Sequence, residues 1–252
     1  LSWSLDHVGP LCRNVTDTAL VLQAIAGYDS LDPRSANFPI DSYSDALNVK
    51  TRPRIGVVRQ PYFDDLHPEI EQAMDEALKQ LRDLSSDVLE VDLPPAPTAI
   101  QAQEVRGVHR TYFKEAPDLY GTWMQERLKQ AAAVDPLDYM LALDDLEDVR
   151  RSVGEVLSDV DFLVTPTTPV PPITIQEALN MSPDPKGELW LRNTRPFNAY
   201  GLPTLSIPCG LTRAGLPIGL QISGAHFKEA ELLSFAFAFE QSTTWHRNAP
   251  SV

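Results

Sequence analysis

Residues able to do chemistry are sparse in this chain and stand apart from one another. The five histidines, His7, His67, His109, His226 and His246, occur singly, and each reads as a surface or satisfied core residue rather than a base. No G-x-S-x-G elbow, phosphate-cradling G-x-x-x-x-G-K-[ST] or H-E-x-x-H is present. None of the six lysines sits among small residues in a way that points to proton transfer. The one Ser-Ser pair, Ser85-Ser86, lies in the polar stretch "DLSSDV" and reads as a turn. Cys12 and Cys209 are far apart; they build neither a zinc spacing nor a disulfide framework, and buried apolar roles suit them. Neither a metal nor a cofactor is expected. Residue types alone leave the reaction undetermined.

The elements that would hold such residues are easier to read. Residues 14 to 27 have a helical pattern: Asn14 or Thr16 caps it, and Ala19, Leu20, Leu22, Ile25 and Ala26 form its apolar face. Gly27 stands at the usual place of a terminating glycine. Residues 28–53, rich in Asp, Ser, Asn and Pro, read as a loop excursion. "RIGVVR" and "DVLEVDLP" read as strands on either side of a helix starting at Pro68, with Ile70, Met74, Ala77, Leu78 and Leu81 inward, a βαβ-like unit. Residues 98–159 read as a mostly helical insertion broken near Pro117 and Pro136. "DFLVTP" is a strand running into a proline-rich loop, with six prolines among residues 165–185, which argues against regular structure. A helix, the strands "TLSIPCG" and "LPIGLQISG", and a final helix complete the chain. The fold class is α/β: a mixed β-sheet flanked by helices.

Composition narrows the partners. A net charge of −14 repels phosphate backbones and anionic lipid, so direct binding of nucleic acid or membrane surfaces is disfavoured and neither is an expected partner. The densest acidic cluster, Asp144, Asp145, Glu147 and Asp148, reads as a solvated helix face. No apolar run approaches the roughly 18 to 20 residues that span a bilayer. The unpaired cysteines fit a reducing, cytoplasmic setting.

Three separated stretches carry a resemblance. "SWSLDHVGPLCRNVTDTALVLQAIAGYDSLDPRS", "DFLVTPTTPVPP" and "TRPFNAYGLPTLSIPCG…GLPIGLQISGAHFKEAELLSFAFAFEQSTTW" resemble, in order, the C-terminal half of the amidase signature family. Residues 35 to 158 match in layout more than in motif. The resemblance implies an α/β/α amide hydrolase with a Ser nucleophile, a second Ser in a cis peptide and a Lys base, working without a cofactor. In the family these three residues precede the "S-x-x-L-D-x-x-G-P" segment. The expectation is therefore a C-terminal portion of a single amidase signature domain, inactive alone, whose partners are a small-molecule amide and the missing N-terminal half. A homodimer is a further expected assembly.

The resemblance also assigns residues. Asp6, with Gly9 and Pro10 after it, either braces the active-site loop or merely caps a Gly-Pro turn. Thr165, Thr167 and Thr168, leaving a strand end, either line the acyl-side pocket or only shape the loop. Thr194, Pro196 and Asn198 match the family's T-x-P-x-N pattern, with Asn198 tying a helix end to nearby backbone. Trp190, Leu191 and Phe197 form either an apolar pocket wall or core. Glutamine-hydrolysing members, which serve the Asp/Glu-tRNA amidotransferase, carry an Asp at the position of Leu191 and an F-D-G-I-R-Y-G stretch that this chain lacks. An apolar residue leaves an ammonium unpaired at several kcal/mol. An uncharged or apolar amide is thus the expected substrate, with the glutamine-hydrolysing amidotransferase component or a non-catalytic pseudo-amidase as alternatives.

Overall fold

The computed structural model describes residues 1–133, 135–180 and 189–248. They fall into two compact units, one built from Leu1–His7, Leu93–Val156 and Ile173–Gly201, the other from Val8–Asp92, Leu157–Pro172 and Leu202–Val252.

The second unit holds the sheet. Its strands are β1 (Arg54–Val58), β2 (Asp87–Val91), β3 (Phe162–Pro166), β4 (Thr204–Leu211) and β5 (Pro217–Gly224), in the order β2-β1-β3-β5-β4. β1 runs parallel to both β2 and β3, while β5 is antiparallel to β3 and β4. The expected βαβ unit is present: α3 (Pro68–Leu84) joins β1 to β2, with Pro68 in its first turn and His67 Nδ1 accepting the Glu69 N–H at 3.3 Å. Its five expected inward residues, Ile70, Met74, Ala77, Leu78 and Leu81, are all buried. Gly56 permits close packing in the middle of β1, because a Cβ there would lie 2.8 Å from Val91 Cγ2 and 3.0 Å from Val160 Cγ2.

Strand alternation divides the sheet's residues between two faces. Ile55, Val57, Phe162, Val164, Ile207, Leu220 and Ile222 share one apolar cluster with α1 (Val15–Ile25), α3 and α9 (Glu229–Gln241). A buried carboxylate secures α1, since Glu240 Oε2 accepts the Val15 N–H at 2.9 Å. Asn14 is the residue that caps α1, its side chain accepting the Asp17 N–H at 2.7 Å.

Several expectations are corrected here. Val15, Thr18 and Ala19 form the buried side of α1, whereas Leu20 and Ile25 are 55% and 54% exposed. At 100° per residue, position 20 projects about 140° away from Val15 and off the stripe through 15, 19 and 22, while Ile25 is the last residue of the helix. Gly27 does not end α1 in a left-handed turn, because the chain leaves already extended at Ala26 (φ −72°, ψ 139°). The excursion over 28–53 contains the short helix α2 (Tyr43–Ala46), anchored by buried Tyr43 and Leu47. The proline-rich segment is also not wholly irregular: α7 (Ile175–Asn180) forms beyond its last closely spaced proline, and Thr174 ties to Glu177 Oε2 through N–H (2.8 Å) and Oγ1 (2.7 Å). The remainder of that segment, 181–185, lies outside the described residues.

The first unit is helical. α4 (Ala99–Glu115), α6 (Pro136–Asp159, belonging here through Val156) and α8 (Arg195–Tyr200) share a small core of Leu5, Ile100, Ala142, Leu146 and Ala199, and α5 (Thr122–Ala131) packs on α4. The helices break at 116–121 and before Pro136, near the two prolines singled out by sequence. The acidic cluster on α6 is exposed.

Candidate functional site

In the sheet unit, the face opposite the α1–α3–α9 core is polar where β3, β5 and β4 adjoin. Alternation places Thr165 on it from β3, with Gly219, Gln221 and Ser223 from β5, and Thr204 and Ser206 from β4. These groups bond across the strands. Gln221 Nε2 donates to Thr165 Oγ1 at 3.0 Å, and the hydroxyls of Thr204 and Ser223 lie 2.8 Å apart. Just past β3, Thr167 Oγ1 lies 2.7 Å from Ser206 Oγ, while its N–H donates to Gly219 O at 2.9 Å. Gly219 makes that approach possible, because a Cβ would sit 2.6 Å from Thr167 Oγ1 and 2.7 Å from Ser206 Oγ.

The threonines separate by depth. Thr165 is wholly buried, Thr167 and Thr168 are half-buried, and Ser206 is exposed. Pro169 O accepts the His67 N–H at 2.9 Å, pinning the proline-rich segment to the start of α3. This hydroxyl- and amide-lined strip can offer hydrogen bonds to a neutral polar ligand but holds no ionised group. Gln221, Ser206, Ser223 and Thr204 did not stand out in sequence. The alternation of polar with apolar residues in "TLSI" and "IGLQIS" was the available signal.

In the helical unit, the N-terminal segment is bound to a buried carboxylate. Glu104, on α4 and 3% exposed, accepts Ser2 Oγ–H, Ser4 N–H (3.0 Å) and Ser4 Oγ–H (3.0 Å) on Oε2, and Tyr139 O–H (3.2 Å) on Oε1. Burial pushes its carboxyl up, but the bonds from Ser2, Ser4 and Tyr139 outweigh burial and hold it below its ordinary value. Arg150 of α6 completes the clamp, donating from Nε to Ala199 O at 2.9 Å and from Nη2 to Ser4 O at 3.0 Å. Neither residue carries a sequence signal, because each acts on a segment at least 100 positions away.

Within this frame, Asp6 acts locally: its Oδ2 accepts the Ser2 N–H at 2.8 Å. The turn lies at Trp3–Leu5, and no turn is assigned at Gly9 and Pro10. Thr194 precedes α8 without a side-chain capping bond, and Asn198 is exposed. Asn198 contributes to the helix end through its carbonyl, which accepts the N–H of left-handed Gly201 (φ 71°) at 3.2 Å. Phe197 is buried edge-to-face on Tyr200 (5.5 Å), whose O–H donates to Pro94 O at 2.7 Å. Trp190 is half-buried, and Leu191 is 47% exposed.

The adjacent serines and the lysines have structural or solvent-facing places. Ser85 is buried and donates to Leu81 O at 2.6 Å, which closes α3, and the Ser86 N–H donates to Pro53 O at 2.9 Å. Every lysine among the described residues is exposed. The described residues contain no group of three or more His, Cys, Asp or Glu able to hold a metal ion. No described helix is long and apolar enough to cross a membrane.

The Amidase family profile matches residues 1–233. An amidase of Pseudomonas putida is 37% identical over 263 residues, covering 100% of this chain and 56% of that protein. The A subunit of the glutamyl-tRNA(Gln) amidotransferase of Geobacter sp. (strain M21) is 34% identical over 281 residues, covering 98% of this chain and 57% of its own. A solved chain from an inhibitor-bound vestigial complex bearing on the origins of an s-triazine catabolic enzyme superposes with a TM-score of 0.82 at 26% identity, over 96% of this chain and 54% of its own. The chain thus spans a little over half the length of these relatives.

Proposed function

Because this chain belongs to the amidase signature family, as its profile match and its 37% identity to an amidase show, we propose that it forms the C-terminal portion of an amide hydrolase. The reaction is R–CO–NH₂ plus water to R–COO⁻ and ammonium. The proposed catalytic group is a Ser–cis-Ser–Lys triad supplied by a part of the family domain outside these 252 residues. The observation that carries this reading is negative chemistry within the chain: Ser85 is spent on a helix end, and every described lysine is exposed. A Lys base needs desolvation to lower its pKa toward neutrality.

In the sheet unit, Thr167 and Thr168 are the proposed substrate contacts, with Thr167 held by Ser206 and Gly219, and buried Thr165 behind them bonds Gln221. In the helical unit, Trp190 and Leu191 contribute apolar surface to substrate, while Phe197, Thr194 and Asn198 keep α8 in shape. Asp6 braces the turn at Trp3–Leu5 rather than touching substrate, and Gly9 and Pro10 follow that turn in the chain. Leu191 cannot neutralise an ammonium, so the substrate is an uncharged amide and not glutamine. Identity of 34% to an amidotransferase component favours one second reading, delivery of ammonia to a partner protein.

The test is ammonia release from benzamide, butyramide and glutamine. It is run on the chain alone and on the chain co-expressed with a family segment carrying the Gly/Ser-rich signature and the Lys. The expected result is silence alone and restored cleavage of the two apolar amides. Glutamine should be slower by at least roughly 100-fold, the equivalent of about 2.7 kcal/mol for an unpaired ammonium. Cleavage by the chain alone would remove the outside-triad proposal. Preferred use of glutamine, with co-purification of a second protein, would move the assignment to the amidotransferase reading.

A further inference from the structure

We propose that the groove between α4 and α5 binds a small amphipathic anion, a carboxylate or phosphoryl head on an apolar body. The groove encloses about 520 Å³, within the range of small-molecule sites. Its lining includes Arg106, Arg110 and Lys114 from α4 and Lys129 from α5, with Phe113 and Leu128 between them and no acidic residue. The arrangement follows from helix geometry. Positions 106, 110 and 114 recur at intervals of four, so three cations stand on one side of α4 over about 12 Å. Gln103 Nε2 donates to Ala131 O at 3.3 Å and fastens the two helices beside them.

Two features mark this stripe. Several basic side chains elsewhere on this protein have a carboxylate partner, as in Arg59–Glu90 (3.0 Å), Lys79–Glu76 (2.9 Å) and Lys228–Glu231 (2.6 Å). In the groove only Lys129 does, through Glu126 at 2.8 Å; Arg106, Arg110 and Lys114 make no ion pair among the described residues. Like charges four apart on a helix repel by a few tenths of a kcal/mol per pair, so the stripe opposes folding until an anion neutralises it. The chain also carries a net charge of −14, and concentrating unpaired cations in one concave place runs against that background.

The apolar component is equally fixed. Leu128 is buried, and Phe113 is held edge-to-face on Tyr120 at 5.3 Å, so the floor is a rigid hydrophobic surface beneath the cations. Guanidinium forks recognise a carboxylate or a phosphate equally well, and the floor takes the body attached to it. A cationic track of about 12 Å is short for a polyanion, which the surrounding negative charge repels.

Isothermal titration with 4-phenylbutyrate, phenyl phosphate and neutral 4-phenylbutanamide tests this. At least one anion should bind tenfold or more tightly than the amide and weaken between about 50 mM and about 500 mM salt. The stronger anion identifies the head group. Arg106→Gln with Arg110→Gln should weaken that anion at least tenfold without lowering the melting temperature, since both side chains are exposed and their loss relieves like-charge repulsion. Arg213→Gln, which removes a cation paired with Glu69, should leave it unaltered. Failure of both anions to bind, equal binding of the amide, or parental affinity in the double variant would overturn the proposal. So would tighter binding of a short RNA at near-physiological salt.

Discussion

Replacing Glu104 tests whether a buried carboxylate holds the first residues of the chain in place. Ser2, Ser4 and Tyr139 direct four donors at it, three of them at Oε2. Glu104→Gln preserves shape and leaves one acceptor oxygen, so the donors keep partners but lose charge assistance. A bond to an ionised acceptor contributes about 1.5–3 kcal/mol against about 0.5–1.5 for a neutral one, so three donors lose about 3 kcal/mol. Relief from burying a charge returns part of this. The carboxyl lies below its ordinary value, so the bonds win over burial, and the net loss is about 1–3 kcal/mol. Glu104→Leu strands the Ser4 N–H as well and should cost about 3–5 kcal/mol.

The pH dependence follows the same carboxylate. Its folded pKa is depressed, so the stabilisation is complete above the ordinary value near 4.5 and disappears as pH falls through the lower folded value. The gap between parent and Glu104→Gln, about 1–3 kcal/mol at neutral pH, should therefore close below that range. Urea unfolding at a series of pH values measures the gap, and amide hydrogen exchange at Ser4 reports release of the segment itself. Equal stability of parent and Glu104→Gln at neutral pH would refute the account, as would a gap that persists undiminished in acid.

Two further outcomes are expected. Gly219→Ala should push apart Thr167 and Ser206, whose oxygens would lie 2.6 and 2.7 Å from the new Cβ, and destabilise by about 1–3 kcal/mol; a thermal melt unchanged from the parent would show that the strip yields freely. Cys209 is buried, and burial pushes its thiol up to about 12, whereas Cys12 is exposed. Iodoacetamide near pH 8 should alkylate one thiol in the folded protein and both in denaturant, and rapid labelling of native Cys209 in the mass spectrum would contradict its protection by β4.

Local sequence determined the family and most of the element list. The Pro68 start of α3 and its five inward residues obey short-range rules of period and capping that need no distant partner. The three stretches resembling the amidase signature family likewise marked the ancestry, since a motif survives as contiguous residues. Where periodicity failed, the side of the stripe was the cause: Leu20 and Ile25 are as apolar as Ala19, and only the position of α9 and the sheet decides which of them is covered.

Tertiary structure alone decided the arrangement of the sites. That β3 sits between β1 and β5, with the sheet changing from parallel to antiparallel there, depends on pairing between segments far apart in the chain. The polar strip of Thr165, Gln221, Thr167 and Ser206 exists because strand register puts those residues on one face. Glu104 meets Ser2 across 102 positions, and four cations face one groove because two helices pack side by side. A hydrogen bond or a cavity wall is set by distance in space, and a chain's local preferences say which elements form but not which of their faces meet.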